Sequence, residues 1–141
     1  MKYDITCVGL TILDIDYFMP SLEEAREVAG TNNPQETARY FIGLGTGAYI
    51  LKMGAKGSLL VTREKQIPVP AFAVKAYDTT GCGDAYCGGF IAALAKGRDL
   101  EISCRFASAT AALVATGLGS DSGVIDFAET EKAMTTLSTL L

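Results

Sequence analysis

The residues best suited to chemistry stand together in one run, Asp78-Thr79-Thr80-Gly81-Cys82-Gly83-Asp84. Its two glycines let the backbone fold tightly, so that successive N–H groups can point at one spot. A small-residue stretch from about Asp84 to Ala95 follows and reads as a helix closed by Gly97. A helix start carries partial positive charge, so converging amides at that point form an anion site. Asp84 would then hold a carboxylate beside a bound phosphate. Like charges repel, so the placement serves binding poorly. It suits a base that takes the proton of a hydroxyl attacking that phosphate. The competing reading is a capping aspartate in a turn, and spacing alone does not separate the two.

The rest of the composition narrows the chemistry. Among 141 residues there is no histidine. Ser-His-Asp and Cys-His catalysis are thereby excluded, and so are zinc sites that need imidazole. Proton transfer must run through carboxylates, Lys, Tyr or Cys. Cys82 invites a nucleophile reading because a helix start lowers a thiol pKa, but it has no histidine to serve as base. Cys7, Cys82, Cys87 and Cys104 form no C-x-x-C pair and read as buried, reduced thiols of a cytoplasmic protein. The 12 basic and 16 acidic residues give a net charge of −4 with no basic block, so nucleic acid is not expected as a partner. Neither is a membrane: Asp4 and Thr6 interrupt the start where a leader would be apolar, and the runs near Phe90 to Ala95 and Ala109 to Ala115 are too short to span a bilayer.

The elements that would hold the loop alternate between strand and helix. Ile5 to Val8 reads as a buried strand ending at Gly9. Ser21-Leu22-Glu23-Glu24 reads as a capping box opening a helix to about Ala29, closed by Gly30. Asn33-Pro34 opens a second helix, ended by Gly45, with Ala38, Phe41, Ile42 and Leu44 on one face. Ala48 to Met53 and Ser58 to Thr62 read as strands around a Gly54-Ala55-Lys56-Gly57 turn, and Arg63 to Lys65 turns the chain into Ile67 to Val69. Asp99 caps a helix with Ile102, Phe106, Ala109 and Leu113 at helical spacing; Asp126 and Glu129 open a last one. Gly43-Leu44-Gly45-Thr46-Gly47-Ala48 spells a dinucleotide fingerprint, but it follows a helix and precedes a strand, the reverse of that motif's setting, and reads as a helix stop. The alternation predicts an α/β layered fold.

Residues 78–86 resemble the C-terminal signature of the ribokinase/PfkB family of carbohydrate kinases, D-T-x-G-A-G-D-x-F, with Cys82 in place of Ala and Tyr86 in place of Phe. Three further segments resemble family segments in the same order: Pro20 to Ala25 (P-N-x-x-E-A), Lys52 to Ser58 (T-L-G-x-x-G-S) and Phe106 to Ala112 (F-A-N-A-A-A-A). Met1 to Asp14 resembles the family's first strand.

The resemblance implies a three-layer α/β/α ribokinase-like core, incomplete, with residues 1–15 as its first strand and 16–141 as its C-terminal nucleotide-binding part. It implies ATP-dependent phosphorylation of a sugar or nucleoside-like hydroxyl, with ATP, Mg2+ and K+ as cofactors. Asp84 would be the base, and the amides of Gly81, Cys82 and Gly83 the anion hole. Lys52, Gly54, Lys56, Gly57, Gly83 and Ser108 would serve the nucleotide. Glu24 would organise magnesium through water; Asp78, Thr80, Gly117 and Gly119 would hold the monovalent cation. Several of these residues also have plain structural explanations. Glu24 is accounted for by the capping box, Lys56 by a solvated turn, Ser108 by close helix packing. Ser21 replaces the family's usual Asn and Lys52 a common Thr. The family's double-glycine signature, sugar-binding Asp and β lid have no counterpart in the chain. This makes nucleotide binding without sugar kinase activity the alternative expectation, with uncovered sheet edges favouring self-association.

Overall fold

The computed structural model describes residues 15–120, 122–123 and 126–140, so the strand read at Ile5 to Val8, with Cys7, lies outside the described residues. The described residues divide into two compact units. The first holds those up to Met53 together with Leu59–Pro68; the second holds Gly54–Ser58 and Val69–Leu141.

A sheet of order β1-β2-β3-β4 is formed by β1 (Tyr17–Phe18), β2 (Ala48–Lys52), β3 (Ser58–Thr62) and β4 (Gln66–Val69), all in the first unit except the end residues Ser58 and Val69. β1 runs parallel to β2, with Tyr17 beside Ala48 and Phe18 beside Tyr49. β2 is buried along Ala48 to Leu51, the continuous apolar run of a strand covered on both faces. Helices α1 (Leu22–Ala29) and α2 (Pro34–Gly43) join Tyr49, Leu51, Leu59 and Val61 in one core cluster through Ala25, Ala38 and Phe41. Phe41 stacks on Tyr49 at 5.2 Å and meets Phe18 at 4.8 Å. The Tyr49 hydroxyl is satisfied by Thr37 Oγ1 at 3.1 Å, and burial pushes its pKa up to about 12.

Both helices start where their caps predict. Ser21 and Glu24 form the full reciprocal box, and Asn33 Oδ1 accepts from the Gln35 and Glu36 amides. The end of α2 differs from expectation. It stops at Gly43, so Leu44 is the cap residue, beyond the helical face, and is exposed rather than part of the core. Gly45 adopts φ +105° just after it, which fits the helix-stop reading of the 43–48 run. The two-residue β1 is also a departure: Leu10 to Met19 carries no alternating pattern, and the pairing comes from β2.

The second unit is built on α3 (Cys82–Ala95), α4 (Leu100–Val114) and α5 (Phe127–Thr136). α3 packs on α4 through small residues: a methyl group on Gly89 would collide with Thr110 Oγ1 and approach the Ala107 Cα at 3.1 Å. α4 packs on α5 through Phe106 stacked on Phe127 at 4.3 Å, and Arg98, just before α4, forms an ion pair with Glu131 of α5. Asp99 and Asp126 cap their helices at 2.8 Å, on the Ile102 and Glu129 amides. Among the described residues no helix is long and apolar enough to cross a membrane. None of the described cysteines forms a disulfide, but only Cys104 is buried; Cys82 and Cys87 are partly exposed, against the expectation that all are buried.

Candidate active site

In the second unit, α3 begins at Cys82, two residues before the expected Asp84. The reason is Gly81. It holds φ +76°, a left-handed conformation that turns the chain directly into the helix, and its side-chain position is filled: a Cβ there would lie 2.5 Å from the Ser120 Cβ. The cap residue therefore has no side chain to offer, and no side chain caps α3. The Cys82 amide donates to the Thr79 carbonyl at 3.2 Å, and the Ala85 amide to the Gly81 carbonyl at 2.8 Å. The amides of Gly81, Gly83 and Asp84 have no acceptor among the described residues. The first turn of α3 thus presents unsatisfied donors on the positive end of the helix. This differs from the set drawn from resemblance in one respect: Cys82 is engaged locally, and the Asp84 amide is available.

Asp84 is exposed and stands in the first turn of α3. Its carboxylate caps nothing, which removes the capping explanation and leaves it exposed to solvent. The Cys82 thiol is pushed up by burial and by the neighbouring Asp78 charge, the opposite of what a nucleophile requires.

Asp78 ties two loops together. Its Oδ1 accepts from the Thr80 amide at 2.9 Å and its Oδ2 from the Gly119 amide at 3.2 Å. These bonds, Thr80 first, hold its pKa below the ordinary aspartate value. Asp78, Thr80 and Gly119 are therefore brought together. Gly117 lies two residues before Gly119 and is packed against Ser122. Because the folded carboxylate titrates below 3.8, its bonds add stability above that pH and lose it as acid protonates the folded form. Thermal melts of Asp78→Asn against the wild type should therefore show a constant deficit above about pH 5 that shrinks in stronger acid. A deficit independent of pH would exclude the ionised clamp.

The turn expected to serve a nucleotide lies in the same unit. Gly54–Lys56 forms a 3-10 turn closed by the Gly57 amide on the Gly54 carbonyl at 2.9 Å. Gly57 has φ +82°, and a side chain there would strike the Val69 carbonyl and the Ala71 nitrogen. Lys56 is exposed. Ser108 is buried, and its hydroxyl donates to the Pro70 carbonyl at 3.2 Å, so its observed bond is a packing bond.

The remaining pair belongs to the first unit. Ser21 forms a bridge with Lys52, whose amide donates to the Pro20 carbonyl at 2.9 Å. Glu24 Oε2 accepts from the Ser21 amide at 2.7 Å. That bond, the Ser21 hydroxyl and the Lys52 charge lower the Glu24 pKa against its partial burial. Glu24 is thus ionised and its Oε2 is committed to the helix cap. Among the described residues no cluster of three or more Cys, Asp or Glu could hold a metal by itself.

Ser120, which fills the space beside Gly81, has no signal in the sequence. Ser58, which bonds Tyr86, is read there only as the last residue of the 52–58 segment, and its partner only as a tyrosine in a phenylalanine position.

Known proteins give the same pattern a context. The family model for pfkB family carbohydrate kinases matches residues 9–126. A deoxyribokinase from Salmonella typhi is 35% identical over 112 residues, covering 76% of this chain and 37% of its own length. The crystal structure of a ribokinase from Thermotoga maritima superposes with a TM-score of 0.83 at 33% identity, over 89% of this chain and 44% of that one. A putative ribokinase II from E. coli, solved in complex with ATP and Mg2+, superposes with a TM-score of 0.80 at 28% identity, over 86% of this chain and 39% of that one. The chain therefore spans well under half the length of the relatives it matches.

Proposed function

The chain belongs to the pfkB family of carbohydrate kinases, and on that premise we propose that it takes part in ATP-dependent phosphorylation of a sugar or nucleoside-like hydroxyl. The observation that carries this reading is the start of α3: three amides without an acceptor among the described residues, beside an exposed carboxylate that caps nothing. The amides would hold the oxygens of the transferring phosphoryl group, where charge builds up. Asp84 would accept the proton of the attacking hydroxyl. Gly54, Lys56, Gly57 and Gly83 would receive the nucleotide, with Ser108 near the base. In the first unit, Glu24 would organise magnesium through water and Lys52 would face phosphate. Magnesium, when bound, neutralises phosphate charge. Asp78, Thr80, Gly117 and Gly119 would hold potassium, whose charge would steady the loop carrying the amides. A cytoplasmic location and self-association belong to the same reading.

A second reading, nucleotide binding without transfer, is supported by the chain's span of 37% of the deoxyribokinase. Calorimetric titration with magnesium-ATP, followed by an assay of ADP release with ribose and with deoxyribose, separates the two. Binding with sugar-dependent release is the expected result for the kinase. Binding without release supports the second reading, and absence of heat at millimolar ATP overturns both.

A further inference from the structure

We propose that the hydroxyl of Tyr86 is a positioning group that locks the nucleotide turn to the first turn of α3, so that the anion site and the turn hold a nucleotide as one rigid body. The inference rests on the nucleotide reading above. Both elements lie in the second unit. Tyr86 stands two residues beyond Asp84 on α3, and Ser58 directly follows Gly57. The Tyr86 hydroxyl and Ser58 Oγ are 2.7 Å apart, with the residues 6% and 2% exposed. Cys104 of α4, fully buried, is the neighbour whose thiol interacts electrostatically with Tyr86. A hydrogen bond in such surroundings is electrostatically strong, and losing one partner leaves the other orphaned. Burial raises the Tyr86 pKa, so the hydroxyl stays neutral and keeps its donor at every working pH.

The tie reaches the turn at a position that cannot drift. Gly57 is wedged against Val69, Pro70 and Ala71, and Pro70 is bonded by Ser108 of α4. The Tyr86–Ser58 bond therefore closes a loop of contacts running from α3 through the turn to α4 and back to α3. A phenylalanine, the residue in the family signature, would fill the same space and leave the Ser58 hydroxyl without this partner.

The test compares Tyr86→Phe, Ser58→Ala and the double variant with the wild type, well below their melting temperatures. Two readouts are taken: amide hydrogen exchange over Gly54–Ser58 and the start of α3, and calorimetric affinity for magnesium-ATP and for inorganic phosphate. ATP would engage both the turn and the anion site; phosphate would engage the anion site alone. Each single variant is expected to exchange faster at the Gly57 amide and to bind ATP about five-fold more weakly, the equivalent of one hydrogen bond, with phosphate affinity unchanged. The double variant should regain stability, because no orphan remains, yet not regain ATP affinity. A role confined to stability would leave the ratio of ATP to phosphate affinity as in the wild type, and that result overturns the inference. If the wild type binds no ATP, the nucleotide reading fails, and exchange alone decides this one: unchanged exchange at Gly57 in both single variants overturns it, and faster exchange upholds the mechanical tie.

Discussion

Asp84→Asn is expected to slow phosphoryl transfer from ATP by about 100-fold or more, the usual share of a positioned general base. The substitution keeps the shape of the side chain and removes only its ability to take a proton. Nothing structural should follow from it. Asp84 is exposed, it caps no helix, and the start of α3 is set by Gly81 instead. Nucleotide affinity should hold or tighten slightly, since a negative charge leaves the edge of an anion site. The expected pattern is a fall in kcat with little change in KM for ATP and an unaltered melting temperature. Retention of full transfer activity would show that Asp84 is not the base. Weaker ATP binding at unchanged kcat would assign it to ligand contact instead.

The second large effect belongs to Gly81. Gly81→Ala meets two obstacles at once. The backbone stands at φ +76°, where an L side chain is strained by about 1–2 kcal/mol. The new methyl would also lie 2.5 Å from the Ser120 Cβ and 2.7 Å from its Cα. Relief of that contact has to move either the 117–120 loop or the first turn of α3, and the second carries the free amides. Inorganic phosphate and ATP affinity should both fall by at least about ten-fold, with a lower melting temperature, as overpacking commonly brings. Gly30→Ala is the control, because Gly30 has a similar φ of +71° with nothing within 4 Å. It reports backbone strain alone. A Gly81→Ala variant that melts like Gly30→Ala and binds phosphate normally would show that the Ser120 contact yields without disturbing the anion site.

Much of the fold was legible because the responsible interactions are local. Ser21, Asn33, Asp99 and Asp126 each satisfy an amide two or three residues ahead, so the helix starts they predict were found in place. Ser58–Thr62 also matched its reading, being an apolar run bounded by a turn on each side. The start of α3 was misplaced for an equally physical reason. The backbone of Gly81 performs the turn there, and no side-chain cap marks it. The outward Leu44 and the pairing of Tyr17–Phe18 were not legible, since one depends on where α2 frays and the other on a strand far along the chain.

The candidate site divides along the same line. From its order of residues alone the chain determined which groups are available for chemistry: a carboxylate at Asp84, a glycine-bracketed helix start, and no histidine. Spacing could not say whether Asp84 was a cap, or which amides were free. Those answers came from the tertiary structure, through the Thr79 carbonyl that occupies Cys82, the Ser120 side chain that keeps Gly81 a glycine, and the Gly119 amide that holds Asp78 across 41 residues of chain. A hydrogen-bond donor is available or spent according to what folds beside it, and contacts between distant segments leave no periodic mark in the sequence.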